Sequence, residues 1–408
     1  MIGVQSAAKN IKKEQLTISS WFLLLSAAVL PFDSYLGEMG LSVLTLGLQM
    51  LFIASRFVEC LSYPDDKKFF SLGIVGIYVI YSLLQIFRGF LRLGLTYNNE
   101  LFISMMCYYI AFIFRPMTMR ELRMMANISI LQMLLFVVVC ARHITLLNGE
   151  IYMGIVDIVD PNYLITNSVV MVGFYLFRIQ SAGKNAVRAL LIALLVVFAA
   201  CVMLVGSRGG LFTFGVLVIV YVLTQMRKPW KTLLILIVVG GIAMGLFFAF
   251  APEYITERFS ISHMLQDGGS GRLTIWKNFL TYYGKQDLAT WLFGVGRDVP
   301  PTIYLQEFGR TYYPHNLYVK TLMEGGIVGI ALLLAVFWHI WKKAYKAKNG
   351  MLIAIICAFM FGSLFLDMDN MRVFWLILAL CNMPVGKTQL QIWKRNVRIE
   401  TVEQGGVK

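Results

Sequence analysis

An imidazole, an amide, an ammonium and a carboxylate stand close together in the stretch Pro314 to Gly329, PHNLYVKTLMEGGIVG, as His315, Asn316, Lys320 and Glu324. Histidine side chains titrate near neutrality, so His315 can take a proton from a nucleophile or give one to a leaving group. Asparagine suits a helix N-cap. The segment runs on as GIVGIALLLAVFWHIW, apolar enough to enter a bilayer, and ionisable groups there are costly and mark a functional site by default. Helix geometry divides the four. Nine residues put His315 and Glu324 on opposite faces and roughly 13 Å apart along the axis. Lys320 and Glu324, four residues apart, are spaced to neutralise each other, which makes Glu324 mainly structural. Gly325 and Gly329, like Gly241 and Gly245, have the GxxxG spacing that lets membrane helices pack closely.

The elements that must hold these groups are membrane spans. Of 408 residues, 58% are hydrophobic and 14% charged, with mean hydropathy +0.71, which excludes an ordinary soluble domain. Apolar runs near the length of a bilayer core recur about twelve times, so the expected fold is all-α and polytopic. They lie near Ser20–Pro31, Met39–Ala54, Phe69–Phe87, Leu101–Phe114, Ile128–Cys140, Tyr163–Phe177, Ala189–Val205, Leu211–Met226, Leu233–Ala251, Leu322–Trp341, Met351–Leu366 and Val373–Met383. The chain divides into residues 1–251 with the first nine spans, a long loop 252–314, and residues 315–408 with the last three spans and a tail. With the N-terminus cytoplasmic, alternate loops and the tail collect about 24 of the 36 Lys and Arg, which sets both termini inside. The polar, basic first residues carry no small-residue cleavage site, so the first run is expected to be a retained span.

The same bias isolates an exception. Arg88, Arg92, Arg142, Arg208, Arg258, Arg272, Arg297 and Arg310 fall on the outer side, where the rule predicts few. Singly, each suits an interfacial anchor that snorkels to headgroups. Gathered on one cavity, they would bind an anion. The net charge of +14 is therefore a matter of membrane topology and not of nucleic acid. Six cysteines and four histidines show no metal-ligand spacing and no disulfide framework, so neither a metal nor another cofactor is expected. No GxxxxGK[ST] motif supports an ATP-driven pump, and Val205 stands where a GxSxG nucleophile elbow needs glycine.

The 252–314 loop, on the outer side, is too long to be a simple connection and too aromatic to be unstructured: Trp276, Phe279, Tyr282, Tyr283, Trp291, Phe293, Tyr304, Phe308, Tyr312 and Tyr313 are enough to pack a small lid. Within it, GRLTIWKNFLTYY places Leu273, Trp276, Phe279 and Leu280 at helical spacing, predicting an amphipathic helix at the membrane surface. Its aromatics suit interfacial anchoring and equally suit stacking on sugar rings.

Three features in order resemble the O-antigen polymerase and O-antigen ligase superfamily of bacterial membrane glycosyltransferases. They are VGSRGGL (Val205–Leu211) at the outer end of a middle span, a long outer loop holding GRLTIW (Gly271–Trp276) and LFGVG (Leu292–Gly296), and HNLYVKTLMEGGIVG at re-entry. Asp160, Pro161, Asn162 and Tyr163, opening the sixth span, resemble a further family feature. The likeness covers the second half of the chain; the first half shares only the succession of spans.

The resemblance implies a metal-independent, inverting enzyme of the cytoplasmic membrane. Its donor would be a polyprenyl-diphosphate-linked oligosaccharide held at the outer face of the bilayer, and an acceptor hydroxyl would attack the anomeric carbon. By analogy, Arg208 and Arg272 hold the diphosphate and His315 stands at the reaction centre. Arginine fits that task, since it stays charged and offers a planar fork to phosphate oxygens. Asn316, Arg88, Arg92, Arg297 and Arg310 are further candidates for substrate contact. The expected activity is a polysaccharide polymerase joining repeat units, with a chain-length regulator as a candidate partner. The alternatives are an O-antigen ligase acting on lipid A-core and, from another class, a lipid-linked glycan flippase.

Overall fold

The computed structural model describes residues 16–62, 73–94, 96, 102, 106, 119–147, 150–226, 229–250, 256–257, 259–260 and 271–382. All but Phe102 and Met106 of the run expected near Leu101–Phe114, most of the first third of the long loop with Arg258 and His263, and the C-terminal tail lie outside the described residues.

The first half comprises α1 (Ile18–Val29), α2 (Asp33–Glu38), α3 (Ser42–Ser62), α4 (Gly73–Leu93) and α5 (Met119–Arg142). A hairpin follows, β1 (Ile144–Leu147) and β2 (Glu150–Met153), antiparallel with Leu147 opposite Glu150. Then come α6 (Pro161–Asn167), α7 (Val169–Ser181), α8 (Asn185–Leu204), α9 (Arg208–Gln225) and α10 (Pro229–Phe250). The long loop holds α11 (Arg272–Gly284), α12 (Leu288–Phe293) and α13 (Pro300–Phe308), and the chain closes with α14 (Leu317–Lys346), α15 (Gly350–Gly362) and α16 (Arg372–Asn382).

This is an all-α polytopic membrane protein. Among the described residues, eight helices are long and apolar enough to cross a membrane, and α7 and α15 are shorter apolar helices. The hairpin is an addition that the all-helical reading does not contain. Sequence signals set the helix starts. Thr17 and Ser20 form a capping box on α1, Asp160 caps α6 with Pro161 in its first turn, Ser207 caps α9, and Asn349 caps α15. The centre of the bundle is the C-terminal pair: Ala354–Ile356, Phe359 and Val373–Leu380 are buried, and α9 lies along α15.

Helix α10 is the opposite case. It is apolar all round and exposed along almost its whole length, as a helix facing lipid is. A Cβ added at Gly241 or Gly245 would meet nothing within 4 Å. The GxxxG of this span therefore packs against no helix among the described residues, contrary to the expectation from spacing. Gly325 and Gly329 do receive a neighbour, the ring of Tyr81, whose edge lies 3.2 and 3.3 Å from where their Cβ atoms would stand.

The loop folds on its own aromatic core. Ile275, Phe279 and Tyr283, one stripe of α11, pack with Tyr304 of α13 and Met323 of α14. The predicted helix forms, but its inward face differs from the expected one: Leu273 and Leu280 are exposed. The loop is spliced into the membrane helices through backbone. At Gly326 (φ 65°) α14 is broken, and its freed Met323 and Glu324 carbonyls accept from Val295 N at 2.9 Å and Gly296 N at 3.0 Å. Non-helical backbone at membrane depth survives only when protein satisfies it in this way. The approach is close enough that a Cβ at Gly294 or Gly326 would stand 2.4 Å from the opposing backbone.

Candidate active site

Arg208 opens α9, Arg272 opens α11 and His315 directly precedes the Asn316 cap of α14; Arg208 and Asp367 both act electrostatically on Arg272, and His315 acts on Asp367. Arg208 is the first residue of α9, and its N-cap Ser207 accepts from Gly210 N at 3.0 Å. The Ser207 hydroxyl donates in turn to Asn162 Oδ1 at 2.7 Å, tying the start of α9 to the start of α6. Asn162 is itself held by Asp160, whose Oδ1 accepts from Asn162 N at 2.7 Å and from Asn162 Nδ2 at 3.0 Å. The positions of Arg208 and Asp160 are thus fixed through a continuous chain of hydrogen bonds.

Gly209 and Gly210 follow Arg208. The sequence suggests that they leave room for a headgroup; in the structure that room is filled. A Cβ at Gly209 would lie 3.2 Å from Phe365 and 3.3 Å from Asn162 Oδ1, and one at Gly210 2.7 Å from Ile165. These glycines seat α9 tightly against α6 and the turn after α15.

Arg272 opens α11 behind Gly271, whose φ of 75° places it in the left-handed region that favours glycine. Its guanidinium makes no hydrogen bond or ion pair among the described residues. Burial holds Arg272 below its ordinary value; Asp160, Tyr163 and Asp367 act against this, and the like charge of Arg208 adds to it. Two guanidinium groups that feel each other near a helix start are an arrangement completed by an anion.

His315 adopts φ 45°, which a non-glycine residue does at a cost of about 1–3 kcal/mol and which is common at active sites. Its Nδ1 is buried and has no hydrogen-bond partner among the described residues. The conformation is imposed from both sides: Trp276 Nε1 donates to Pro314 O at 2.7 Å, and Asn316 is clamped. Asn316 N donates to Asp367 Oδ1 at 3.0 Å, Asn316 Nδ2 to Leu364 O at 3.1 Å, and Asn316 Oδ1 caps α14 by accepting from Tyr318 N and Val319 N. Asn316 thus uses its side chain on the protein. Asp367 also feels His315, although burial raises its carboxyl above the usual range.

The other arginines lie elsewhere. Arg88 donates to the Phe293 and Gly294 carbonyls and ties α4 to the LFGVG turn. Arg92 is exposed at the end of α4, near Tyr282. Arg310 is exposed just after α13. Arg297 is buried: its Nη1 donates to Asp369 Oδ2 at 2.7 Å and lies 3.7 Å from Glu324, its Nη2 donates to Asn370, and it stands 3.7 Å over the Phe102 ring. Lys320 Nζ joins the same group through Asp369 Oδ1 at 3.0 Å. The expected Lys320–Glu324 pair is therefore replaced. The two feel each other, but the direct ion pairs run to Asp369 and Arg297, because the 3-10 turn Met368–Asn370 brings a better-placed carboxylate than one helical turn can.

Sequence reading missed Asp367 and Asp369. The signal was present, as two carboxylates in LFLDMDNM between apolar runs. Among the described residues no group of His, Cys, Asp and Glu is arranged to hold a metal ion.

The three site residues share one stretch of the chain. Residues 193–334 match the family described as O-antigen ligase. That match bears out the resemblance drawn from the motifs, and it spans Arg208, Arg272 and His315 while stopping short of Asp160 on one side and Asp367 on the other. No curated protein matches the chain.

Proposed function

We propose that this protein is a polysaccharide polymerase that joins polyprenyl-diphosphate-linked repeat units at the outer face of the bacterial cytoplasmic membrane, with both termini in the cytoplasm. The observation that carries the reading is that Arg208 and Arg272, each the first residue of a helix, act on each other electrostatically, with Arg272 in no hydrogen bond or ion pair among the described residues. A lipid diphosphate is a good leaving group. The enzyme has mainly to hold it, stabilise the charge that develops as it departs, and orient the acceptor. Arg208 and Arg272 hold the phosphates, helped by the helix N-termini they sit on. His315, fixed beside Asp367, donates to the departing phosphate oxygen. The acceptor hydroxyl enters from the opposite side of the sugar, inverting the anomeric centre without a metal.

A second reading is an O-antigen ligase, the name the matched family carries, passing the glycan to lipid A-core. Donor and chemistry are shared, and only the acceptor differs. Deleting the gene separates them: surface glycan reduced to single repeat units marks a polymerase, and accumulated unattached polymer marks a ligase. Unchanged chain length with glycan trapped on the cytoplasmic side would mark a flippase and overturn both.

A further inference from the structure

A donor gripped only by its diphosphate is free to swing its first sugar, and the roles given to Arg208, Arg272 and His315 leave that sugar unheld. We propose that the ring of Tyr313 is the platform on which the diphosphate-linked sugar of the donor stacks, an inference that rests on the glycosyl-transfer reading of the site.

Between α13 and α14 the chain runs outside regular secondary structure, and its two consecutive tyrosines turn to different neighbours. The Tyr312 ring stands 5.5 Å from the Tyr304 ring, edge to face, and so joins the aromatic core of the loop. The Tyr313 ring stands 6.4 Å from the His315 ring, inclined to it by 53°, and is 40% exposed. The segment is fixed at both ends. Gly309 closes α13 with φ 72°, and Trp276 Nε1 donates to the carbonyl of Pro314, the residue after Tyr313, at 2.7 Å. Trp276 lies about one turn beyond Arg272 on α11, so this bond ties the Tyr313 segment to the helix that Arg272 opens. Tyr313 is thus held beside His315 and linked to Arg272 through a single turn of helix.

An aromatic face supplies apolar contact for the C–H groups of a sugar ring, and the phenol oxygen supplies a polar tip for a sugar hydroxyl. The sugar joined to the diphosphate has to lie beside the group that protonates its leaving oxygen, which is His315. A ring on the His315 side leaves the opposite face of the anomeric carbon open to the acceptor. Tyr313 takes no part in bond making; it binds the sugar and so orients the anomeric carbon. A tyrosine that only anchors the loop at the membrane surface needs neither His315 nor Arg272 as a neighbour.

The test separates the sugar from the lipid diphosphate. The full-length protein in detergent is loaded with labelled polyprenyl diphosphate, which is then displaced either by the unlabelled lipid or by a polyprenyl-diphosphate monosaccharide. The expected result for Tyr313→Ala is that displacement by the sugar-bearing lipid weakens about 10-fold, as for the loss of one stacked ring, while displacement by the bare lipid stays at the wild-type value. Tyr313→Leu, which keeps apolar bulk without an aromatic face, should weaken only the sugar-bearing lipid as well. Tyr312→Ala should lower melting and leave both displacements unchanged. Equal displacement by the sugar-bearing lipid in the wild type and both Tyr313 variants would overturn the proposal. A parallel loss for the two lipids would also overturn it and leave Tyr313 as an anchor of the loop. A wild-type protein that does not bind polyprenyl diphosphate at all would overturn the functional reading itself, and this inference with it.

Discussion

Two clusters of basic residues and carboxylates lie within the same end of the molecule and are built oppositely. In the Arg297–Lys320–Glu324–Asp369 group each charge has a partner, Arg297 adds an aromatic face, and all four residues are buried. In the Arg208–Arg272–His315 group, among the described residues, Arg272 makes no hydrogen bond or ion pair and the buried His315 Nδ1 has no hydrogen-bond partner, and a neighbouring carboxylate is exposed. The first cluster is closed and holds α14, the 3-10 turn at Met368–Asn370 and the LFGVG segment together. The second is open, and its unmet electrostatics are what a diphosphate would complete. The type of residue does not distinguish a binding site from a brace; the count of satisfied groups does.

That contrast can be broken first at the brace. Asp369→Ala leaves Arg297 and Lys320 buried without their shared carboxylate, and removing one partner of a buried pair costs about 3–5 kcal/mol. The expected outcome is a large loss of folded protein in detergent, read by melting and by yield. Burial alone would raise the Asp369 carboxyl, but Arg297 and Lys320 outweigh it and hold it well below the usual range. The stability it contributes is therefore present above the ordinary aspartate range and lost only in strong acid.

At the open cluster, Arg208→Ala and Arg272→Ala are expected to lower transfer by about 100- to 1,000-fold, the usual loss for a charge-stabilising donor, with melting unchanged for Arg272→Ala. Equal activity and lowered stability would reverse the roles of the two clusters. The splice between them comes next. Gly326→Ala sets a Cβ 2.4 Å from the Leu292 backbone at φ 65°, so stability should fall by about 1–3 kcal/mol from strain, with activity falling alongside because the loop carries Arg272. Asn316→Ala removes the α14 cap and should cost about 1 kcal/mol, with turnover reduced through the loosened His315. The smallest effect is expected at Gly241→Ala and Gly245→Ala, which meet open space and should change melting by less than about 0.5 kcal/mol.

The spans were legible because bilayer length and hydropathy are one-dimensional signals, and the start of α14 because Asn316 is a cap residue before an apolar run. Motif order brought Arg208, Arg272 and His315 into one proposal. Arg297 illustrates what was not. On the sequence it is one more outer arginine, and only the turn at Met368–Asn370, arriving from more than 70 residues away, makes it part of a buried network. The Lys320–Glu324 pair fails for the same reason, since helical spacing ranks local partners and is blind to better tertiary ones. Gly241 and Gly245 show the reverse, a packing motif that meets no helix among the described residues.

The central claim is that the open cluster transfers glycan from a lipid diphosphate. The direct measurement is gradient-free transfer in detergent, with purified wild-type protein and its Arg208→Ala, Arg272→Ala and His315→Ala variants given a polyprenyl-diphosphate-linked oligosaccharide. The account predicts elongated product and released lipid diphosphate from the wild type alone, with all four proteins folded at the assay temperature. Elongation by the three variants at the wild-type rate would contradict it.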